Sequence, residues 1–322
     1  MSPQIPAFRL NDGSQMPSVG LGFVIPDFSD EQVYEMVSKA IKVGYRHFDT
    51  ATGYGNEVQV GKAIRDSGIP RREFYITTNL ANGDHSRVCD AFHESLERLN
   101  LEWVDLYLLH WPQAAPGDVD FADINNPGLA FPPTAHPTFI ETYLKMQKLL
   151  ETGLVKAIGV SNFSIKTLGA LLEAEECTVT PAVNQVELHP CLPQDDLKAF
   201  CEEKGILLTA YSPLGRSKTF FAEHPLISEL SEKHEATWAQ IILSWGVQRG
   251  TAVVPKTEDV GRMVTNITLV KLLGEDMEAL NNLHLQPGMH RSLVPFHGDY
   301  GGVFGWKYEW LGWSMTKDGF VL

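Results

Sequence analysis

Short apolar runs alternate with longer amphipathic stretches along most of this chain, and this alternation limits the possible folds more than any other feature. Eight runs have the length and composition of strands: 18–22, 47–50, 75–79, 104–110, 155–160, 182–188, 206–211 and 251–255. Most are nearly continuously apolar, which is typical of parallel strands covered on both faces. Eight strands alternating with helices predict a closed (β/α)8 TIM barrel, with a doubly wound open sheet as the alternative.

Three segments lie outside this alternation. Two short apolar runs flank Asn11-Asp12-Gly13, a pattern that predicts an N-terminal β-hairpin capping one end of the barrel. Residues 112–137, directly after the fourth barrel strand, are rich in Pro, Asp and Gly and predict a long loop. Residues 286–322 form a C-terminal loop crowded with aromatic side chains. Because long loops in compact domains are usually functional, we expect the last two to be lids or binding loops.

The length of the chain is compatible with one domain or two. At 322 residues it lies within the range of single α/β barrels, and no Gly- or Ser-rich linker divides it. We therefore expect a single domain over residues 1–322. The four cysteines include no CxxC pair, so we expect reduced, packed thiols and no metal site.

The charge balance is strongly acidic. The 26 basic and 40 acidic residues give a formal net charge of −14, which disfavours nucleic acid and anionic membranes as partners. An anionic cofactor is compatible with this charge, since a few clustered cations or helix N-termini can form a local positive site. The sequence begins without a signal-peptide pattern and contains no run of 18 apolar residues, so we expect a cytoplasmic protein.

Polar residues stand at the C-terminal ends of the predicted strands and in the loops just beyond them. They are Asp49, Tyr54, Asn79, His110, Ser161, Asn162, Gln185, Tyr211, Ser212, Pro255 and Lys256. In a barrel these ends converge on one site, where a Tyr, a His and an Asp can donate a proton and orient a carbonyl group. Taken singly, a strand-end Asp is more often a helix N-cap and a strand-end His a packed residue.

These strand ends lie within motifs that resemble the aldo-keto reductase superfamily. The motifs are GYRHFDTATGYGNEVQVGKAI (44–64), LNLEWVDLYLLHWP (99–112), GLVKAIGVSNFS (153–164), NQVELHP (184–190), AYSPLG (210–215) and VVPKT (253–257), in the family's order. They span almost the whole chain. The resemblance implies an NADPH-dependent carbonyl reductase whose cofactor is bound by strand-end loops, and no GxGxxG motif follows a strand here.

The resemblance also implies which residues bind NADPH. The nicotinamide ring and its carboxamide are assigned to Tyr211, Ser161, Asn162 and Gln185. The pyrophosphate is assigned to Ser212, Leu214, Gly215 and Ser217, with Arg216 in position to add a positive charge. The 2′-phosphate and the adenine are assigned to Lys256, Thr257, Arg262 and Asn266. A cluster of cations suits a phosphate, so the sequence favours NADPH over NADH, although either cation alone would be read as a solvated surface charge.

The catalytic residues follow from the same resemblance. Tyr54 is the proton donor to the carbonyl oxygen, His110 positions that oxygen, and Asp49 belongs to the same hydrogen-bonded group. In the family, a lysine at the end of the third barrel strand pairs with the aspartate and lowers the pKa of the tyrosine. Asn79 occupies that position here, in YITTNL. His47 also matches a family histidine, and we assign it a structural role.

Asn79 can offer a hydrogen bond but no charge. We expect weakened activity that favours reduction over oxidation, because reduction uses the neutral form of Tyr54. We also expect the basic limb of the pH profile to lie at higher pH. Three explanations for Asn79 stay open: another cation offsets the loss, the residue is an engineered replacement that traps a complex, or the protein binds NADPH without turning it over. The alternative function is accordingly an NADPH-binding protein with little or no catalysis, as a redox sensor or structural component.

Substrate and oligomeric state are less constrained. The family tends to carry Thr-Trp where this chain has Phe23-Val24, so one wall of the pocket differs. The candidate pocket residues are Phe23, Trp111, Phe131, Trp306 and Trp310. The alternative for the tail aromatics is packing onto the barrel's helices. An apolar aromatic pocket suits aldehydes and ketones about equally well, and monomer and homodimer are both compatible with the sequence.

Overall fold

The computed structural model describes residues 5–23, 28–117, 130–216, 219–295 and 297–322. The chain opens with a β-hairpin in which β1 (Ala7–Arg9) pairs antiparallel with β2 (Gln15–Pro17). Its side chains Leu10 and Met16 are buried in a core cluster that also contains the barrel residues Leu108 and Val183. The predicted hairpin is therefore confirmed, and it covers an end of the barrel interior.

The described residues contain one sheet of eight parallel strands in sequence order. The strands are β3 (Leu21–Gly22), β4 (His47–Asp49), β5 (Tyr75–Leu80), β6 (Val104–Leu109), β7 (Val155–Ser161), β8 (Val183–Glu187), β9 (Leu207–Tyr211) and β10 (Ala252–Val253). Val19, just before β3, forms a parallel bridge with Val253 of β10, and Gly20 N donates to the Val253 carbonyl oxygen at 2.9 Å. These contacts join the first strand to the last, so the sheet closes into the predicted barrel.

Helices follow the barrel strands and cover the outside of the sheet. They are α1 (Asp30–Val43), α2 (Glu57–Asp66), α3 (Val88–Leu99), α4 (Phe139–Leu149), α5 (Ile165–Leu172), α6 (Asp195–Glu203), α7 (Pro225–Lys233), α8 (Trp238–Gln248), α9 (Val260–Asn266), α10 (Gly274–Asn281) and α11 (Tyr308–Leu311). No helix in the described ranges is long and apolar enough to cross a lipid bilayer.

Helix α1 shows why the sequence folds in this way. Its buried residues recur with helical spacing on one face: Val33, Met36, Val37, Ala40 and Ile41. Ser29 accepts a hydrogen bond from Gln32 N, and the Gln32 side chain accepts one from Ser29 N, forming a capping box. Gly44 ends the helix with φ of 123°, a conformation that favours glycine. The chain then turns back into β4, which carries Asp49 to the C-terminal end of the barrel.

The C-terminal segment and the loop after β6 are packed together. Trp306 Nε1 donates to the Phe131 carbonyl oxygen at 2.7 Å, and Gln113 Nε2 donates to the Val303 carbonyl oxygen at 2.9 Å. The tail also forms a short hairpin of β11 (Gly302–Val303) and β12 (Trp306–Lys307), followed by α11. The segment predicted as a loop therefore has regular structure of its own, because its buried aromatic residues anchor the hairpin.

Candidate active site

Tyr54 and His110 lie side by side at the C-terminal end of the barrel. Tyr54 ends a 3-10 turn, Thr52–Tyr54, that follows β4, and His110 directly follows β6. The Tyr54 Oη atom is 3.3 Å from His110 Nε2, and the two rings meet edge to face with an interplanar angle of 77°. The structure therefore brings together the predicted proton donor and the predicted positioning histidine at hydrogen-bonding distance.

The turn that carries Tyr54 is held from both sides. Asn56, which is buried, accepts a hydrogen bond from Thr50 Oγ1 at 2.6 Å and donates to the Phe23 carbonyl oxygen at 3.0 Å. The Phe23 ring is fully buried and packs on Phe48. Phe23 thus adjoins the site through its backbone, and the contribution of its ring to a substrate pocket stays a prediction.

A partly buried ion pair supports the same turn, and sequence reasoning missed it. The Glu57 carboxylate is buried and accepts from Arg98 Nε at 2.7 Å and from Thr78 Oγ1 at 2.6 Å. Arg98 also lies 3.4 Å from Thr52 Oγ1 at the start of the turn. Since Thr78 precedes Asn79 on β5, this network ties the Tyr54 turn to the strand carrying Asn79. The signal in the sequence was a charged residue at a core-facing position of a predicted helix.

Asp49 is a buried carboxylate at the end of β4. Its Oδ2 atom accepts a hydrogen bond from Gln185 Nε2 at 2.6 Å. Burial raises the pKa of Asp49 to about 7, and side-chain hydrogen bonds from Gln185 and Asn79 oppose that rise. No lysine or arginine of the described residues forms an ion pair with it. Asp49 is therefore a buried acid without a cationic partner in the part of the chain that the structure describes.

Asn79 occupies the end of β5 and is 1% exposed. Its Nδ2 atom donates to the Thr50 carbonyl oxygen at 2.8 Å. Its Oδ1 atom is buried and has no hydrogen-bond partner among the described residues. The position thus provides a neutral amide whose oxygen is an unsatisfied acceptor.

The two reacting candidates are both neutral at physiological pH. The pKa of Tyr54 is raised first by burial and then by the charge of Asp49, while the charge of Arg216 lowers it. Burial also lowers the pKa of His110 to about 4. A neutral phenol beside a neutral imidazole can donate hydrogen bonds to a carbonyl oxygen, and the phenol can transfer a proton to it.

The residues predicted to hold a nicotinamide ring form one hydrogen-bonded group with His110. Asn162 Nδ2 donates to the His110 carbonyl oxygen at 2.9 Å, and Asn162 Oδ1 accepts from Tyr211 Oη at 2.9 Å. Ser161 Oγ donates to the Gln185 carbonyl oxygen at 2.8 Å. Asn162 has φ of 65°, a left-handed conformation that asparagine tolerates better than most residues. Four strand ends therefore converge beside Tyr54, as the barrel predicted.

The predicted pyrophosphate segment follows β9 in a tight turn. Ser212 has φ of 46°, and Gly215 N donates to the Ser212 carbonyl oxygen at 2.9 Å. A left-handed serine costs on the order of 1–3 kcal/mol, and such strain concentrates at ligand sites. Leu214 is partly buried in this turn, the side chain of Arg216 is exposed, and Ser217 lies outside the described residues.

Two cations lie where the 2′-phosphate is predicted to bind. Lys256 and Arg262 are both exposed, and neither forms an ion pair within the described ranges. Lys256 Nζ lies 4.9 Å from the centre of the Phe28 ring. Thr257 is buried nearby and accepts from Asp259 N at 3.3 Å. Asn266, predicted to contact adenine, is 2% exposed at the end of α9. The two positive charges are thus available to an anionic ligand.

The family model described as "Aldo/keto reductase family" matches residues 19–284 of the chain. The chain belongs to the aldo-keto reductase family. It is 43% identical over 296 residues to glycerol 2-dehydrogenase (NADP(+)) of Saccharomyces cerevisiae, covering 89% of this chain and 93% of the yeast protein. It is 41% identical over 289 residues to aldehyde reductase YPR1 of the same yeast, covering 88% of this chain and 92% of that protein.

Solved structures agree with this family membership. An aldo/keto reductase from Brucella melitensis matches with a TM-score of 0.75 and 39% identity, over 87% of this chain and 99% of the bacterial one. A Bombyx mori aldo-keto reductase in complex with NADP matches with a TM-score of 0.77 and 33% identity, over 87% of this chain and 92% of the silkworm chain. This aldo-keto reductase is accordingly an oxidoreductase with a barrel fold.

A cavity of about 390 Å³ lies between the strand ends of this aldo-keto reductase and its tail. Its lining includes Trp111, Asn162 and Tyr211 near the strand ends and His290 of the tail. Of the predicted pocket residues, Trp111 lines this cavity. Trp306 is buried and meets Trp310 edge to face, and Phe131 contributes its backbone to the Trp306 hydrogen bond. Roles for these three in substrate binding stay predictions.

Glu187 ties the tail to the barrel, and sequence reasoning did not single it out. Its buried carboxylate accepts from Ser292 Oγ at 2.5 Å, from Leu293 N at 2.7 Å and from His189 Nε2 at 2.9 Å. The hydrogen bonds from His189 and Ser292 outweigh the opposing effect of burial, so the pKa of Glu187 is lowered. Because Ser292 and Leu293 are more than 100 positions from Glu187, local sequence carried no signal for their contacts with it.

The remaining polar predictions concern structure. Both ring nitrogens of His47 have partners, Pro17 O at 3.2 Å and Thr77 Oγ1 at 3.3 Å, which supports a structural role. The four cysteines form no disulfide with one another. Within the described residues, no group of three or more His, Cys, Asp or Glu side chains is arranged to hold a metal ion.

Proposed function

We propose that this aldo-keto reductase catalyses the NADPH-dependent reduction of aldehydes or ketones to alcohols, with Tyr54 as the proton donor. The observation that carries the proposal is the 3.3 Å contact between Tyr54 Oη and His110 Nε2, made by two groups that burial keeps neutral. A general acid must stand within hydrogen-bonding reach of the oxygen that it protonates. A carbonyl oxygen that contacts both atoms meets this condition.

The proposal that the cofactor is NADPH rests on Lys256 and Arg262. Both cations lie beyond β10 and form no ion pair in the described part of the chain. Their charges are therefore available to bind a phosphate group. Guanidinium groups bind phosphate through paired hydrogen bonds, which favours a phosphorylated ribose. The names of the yeast glycerol 2-dehydrogenase and of the silkworm complex, which both contain NADP, agree with this choice.

The cofactor would supply the hydride, and the residues of this chain do the rest. Tyr54 transfers its phenolic proton to the carbonyl oxygen as the C–H bond forms, and then regains a proton from solvent. His110, as a neutral imidazole, donates a hydrogen bond that holds this oxygen in place. Asn162 bonds both to the backbone of His110 and to the hydroxyl of Tyr211, so a nicotinamide ring held at Tyr211 would be positioned relative to the carbonyl group that His110 orients.

We further propose that Asn79 weakens the activity without abolishing it. Reduction requires neutral Tyr54, which is abundant because the pKa of Tyr54 is raised. Oxidation of an alcohol requires the tyrosinate, which the charge of Asp49 disfavours and no lysine beside it favours. Reduction should therefore be the faster direction at neutral pH, and the basic limb of its pH profile should lie above the ordinary tyrosine pKa of ~10.

The second candidate is an NADPH-binding protein with little or no catalysis, as a redox sensor or structural component. The observation that favours it is that Asn79 is neutral and that its side-chain oxygen has no hydrogen-bond partner among the described residues. The cofactor residues are independent of position 79, so this candidate predicts the same affinity for NADPH and no turnover. An aldehyde or ketone substrate, a cytoplasmic location and a monomeric or homodimeric state stay predictions under either function.

Rapid mixing separates the two candidates. The chain loaded with NADPH is mixed with a reactive aldehyde, and the absorbance of reduced nicotinamide is followed through a single turnover. If the chain is a reductase, the absorbance should fall at a rate that saturates with aldehyde concentration, and this fall should be absent in Tyr54→Phe. If the native chain and Tyr54→Phe both retained their absorbance while still binding NADPH, the non-catalytic function would be the correct one.

A further inference from the structure

The turn assigned to the pyrophosphate packs against the C-terminal tail. Gly215 has φ of 65°, and a Cβ atom built on it would lie 3.0 Å from Leu293 Cδ1 and 3.5 Å from Phe221 Cε2. The Leu293 side chain and the Phe221 ring therefore both pack on the backbone of Gly215. Because closely packed groups transmit displacements to one another, the position of this turn depends on what holds Leu293 and Phe221.

The backbone of Leu293 is held by Glu187, at the end of β8. The Glu187 carboxylate accepts from Leu293 N at 2.7 Å and from the hydroxyl of the neighbouring Ser292 at 2.5 Å. Ser292 N donates in turn to the Gly319 carbonyl oxygen at 2.9 Å. The carboxylate is buried, and its lowered pKa keeps it ionised at neutral pH. Hydrogen bonds to an ionised acceptor are stronger than neutral ones, so Glu187 fixes Leu293 to the barrel.

The same carboxylate reaches Phe221 through His189. His189 Nε2 lies 2.9 Å from Glu187 Oε1, and the imidazole meets the Phe221 ring edge to face, with the ring centres 5.7 Å apart. Both rings are fully buried. Glu187 therefore holds both groups that pack on Gly215, Leu293 through a direct hydrogen bond and Phe221 through the imidazole.

A second contact joins the tail to the chain that follows β9. Arg291 Cζ lies 5.4 Å from the centre of the Phe220 ring and 5.2 Å from that of Phe320, distances at which a guanidinium group is attracted to an aromatic face. Phe220 also meets Phe221 edge to face, with the ring centres 5.2 Å apart. The tail thus contacts this part of the chain at two places, and the packing at Gly215 is one of them.

We infer that Glu187 is a positioning residue for the cofactor, because its carboxylate holds both side chains that pack on the Gly215 turn. The turn then keeps the shape that binds the pyrophosphate, and Glu187 determines how long NADPH stays bound. Since Glu187 acts through packing, its loss should speed release of the cofactor and leave the proton transfer from Tyr54 unchanged. The inference rests on the proposed function where it assigns the pyrophosphate to this turn.

The rate at which NADPH leaves the whole chain tests this inference. The chain is loaded with NADPH and mixed rapidly with a large excess of NADP⁺, and the fluorescence of the reduced nicotinamide is followed as it dissociates. Leu293→Ala keeps the backbone N–H that Glu187 accepts from and removes the side chain that packs on Gly215. We expect NADPH to dissociate from it roughly tenfold faster than from the native chain. Leu285→Ala is the matched control, because Leu285 is a tail leucine that is 69% exposed, and its rate should be the native one.

Substitution of the carboxylate tests its own part. Glu187→Met has a similar length and no acceptor, so NADPH should dissociate about 10- to 100-fold faster, the effect expected when a hydrogen bond to a charged group is lost. Glu187→Gln keeps an oxygen that can accept from Leu293 N and an amide that can donate to Ser292, so it should behave like the native chain. At saturating NADPH, the single-turnover rate of aldehyde reduction should stay at the native value in both variants. A slower turnover with an unchanged dissociation rate would overturn the inference, because Glu187 would then act on the chemical step.

Hydrogen exchange without cofactor separates this inference from the proposed function. The peptide that contains Gly215 should exchange faster in Leu293→Ala and Glu187→Met than in Leu285→Ala. Faster exchange in a protein whose native chain binds no NADPH would contradict the proposed function and leave the hold of Glu187 on this turn standing. A native chain that reduces aldehydes, with exchange and NADPH dissociation equal in all three variants, would overturn the inference and leave the proposed function standing.

Discussion

Asn79 Nδ2 donates a hydrogen bond to the Thr50 carbonyl oxygen at 2.8 Å. The same neutral amide is a hydrogen-bond donor to the carboxylate of Asp49, the residue before Thr50. The resemblance to the family implies a lysine at this position, where its ammonium group would neutralise that carboxylate. The geometry here instead pairs an amide with a buried acid whose pKa is raised to about 7. Most properties that distinguish this site follow from that pair.

Restoring the charge should accelerate the reaction. In Asn79→Lys we expect the turnover number for aldehyde reduction to rise by ten- to a thousandfold. A unit charge at about 4 Å in an effective dielectric near 20 is worth up to about 4 kcal/mol. The basic limb of the pH profile should also move to lower pH, because an ammonium group favours the tyrosinate. Steady-state kinetics across pH 6–10, roughly the range between the ordinary histidine and tyrosine pKa values, measure both effects.

The matched control for this substitution is Asn79→Met, because methionine has about the length of lysine and carries no charge. We expect its turnover number to stay at or below that of the native chain. Equal acceleration by Lys and Met would show that the shape of the side chain, and not its charge, limits the reaction.

The stability of the fold should depend on pH through Asp49. The carboxyl has an ordinary pKa of 3.8 and a pKa of about 7 in the folded chain, so between these values the folded state binds a proton that the unfolded state does not. The contribution of Asp49 to the free energy of unfolding therefore falls as pH rises from about 4 to 7 and is constant above that range. Asp49→Asn removes this dependence and keeps an acceptor for Gln185.

Urea unfolding of the native chain and Asp49→Asn at a series of pH values and constant ionic strength measures this difference. We expect the free energy of unfolding of the variant, relative to that of the native chain, to rise from pH 4 to pH 7 by ~4 kcal/mol at most. Free energies of unfolding that stay parallel across this range would contradict a raised pKa at Asp49.

The two cations beyond β10 should distinguish NADPH from NADH. Lys256→Met and Arg262→Met should each weaken NADPH binding by about 10- to 100-fold, since a hydrogen bond to a charged group contributes roughly 1.5–3 kcal/mol. Binding of NADH, which lacks the 2′-phosphate, should change little. Fluorescence titration of the reduced cofactors measures both affinities. Lys271→Met is the control, because Lys271 is an exposed lysine outside the assigned site, and loss of NADPH affinity there would argue for a general charge effect.

The contact between Ser292 and Glu187 should hold the tail closed. Ser292→Ala removes a 2.5 Å hydrogen bond to a buried carboxylate, so the tail should open more often. A loss of about 1.5–3 kcal/mol predicts faster proteolytic cleavage within residues 286–322, by roughly 10- to 100-fold. Ser228→Ala is the control, since the Ser228 hydroxyl makes only a 3.4 Å contact at the surface. Equal cleavage rates in both variants would show that the tail is held elsewhere.

The barrel could be predicted from sequence because its determinants are local. Buried parallel strands produce continuous apolar runs, and the N-terminal hairpin carries its own turn residues at Asn11-Asp12-Gly13. The ends of strands were less predictable. The run 251–255 forms a strand only at Ala252–Val253, although Val254 N still donates to the Ala210 carbonyl oxygen at 3.0 Å. Pro255, which has no N–H, cannot continue this donation along the neighbouring strand.

The arrangement of the site was predictable only in outline. Strand-end positions indicated that Tyr54, His110 and Asn162 would meet, and the structure brings them together. The partner of Asn79 could not be read from sequence, because it is the backbone carbonyl of Thr50, just beyond the neighbouring strand. The same holds for Glu187, whose partners in the tail are over 100 positions away and are decided by tertiary packing.

The central claim is that Tyr54 protonates a carbonyl oxygen in a site that still works without the lysine. It is tested most directly by single-turnover oxidation of bound NADPH by a reactive aldehyde, measured in the native chain, Asn79→Lys and Tyr54→Phe. We predict a slow but saturable reaction in the native chain, a faster one in Asn79→Lys, and loss of at least 99% of the rate in Tyr54→Phe, about the smallest effect expected of a lost general acid. Equal rates in the native chain and Tyr54→Phe would contradict the account.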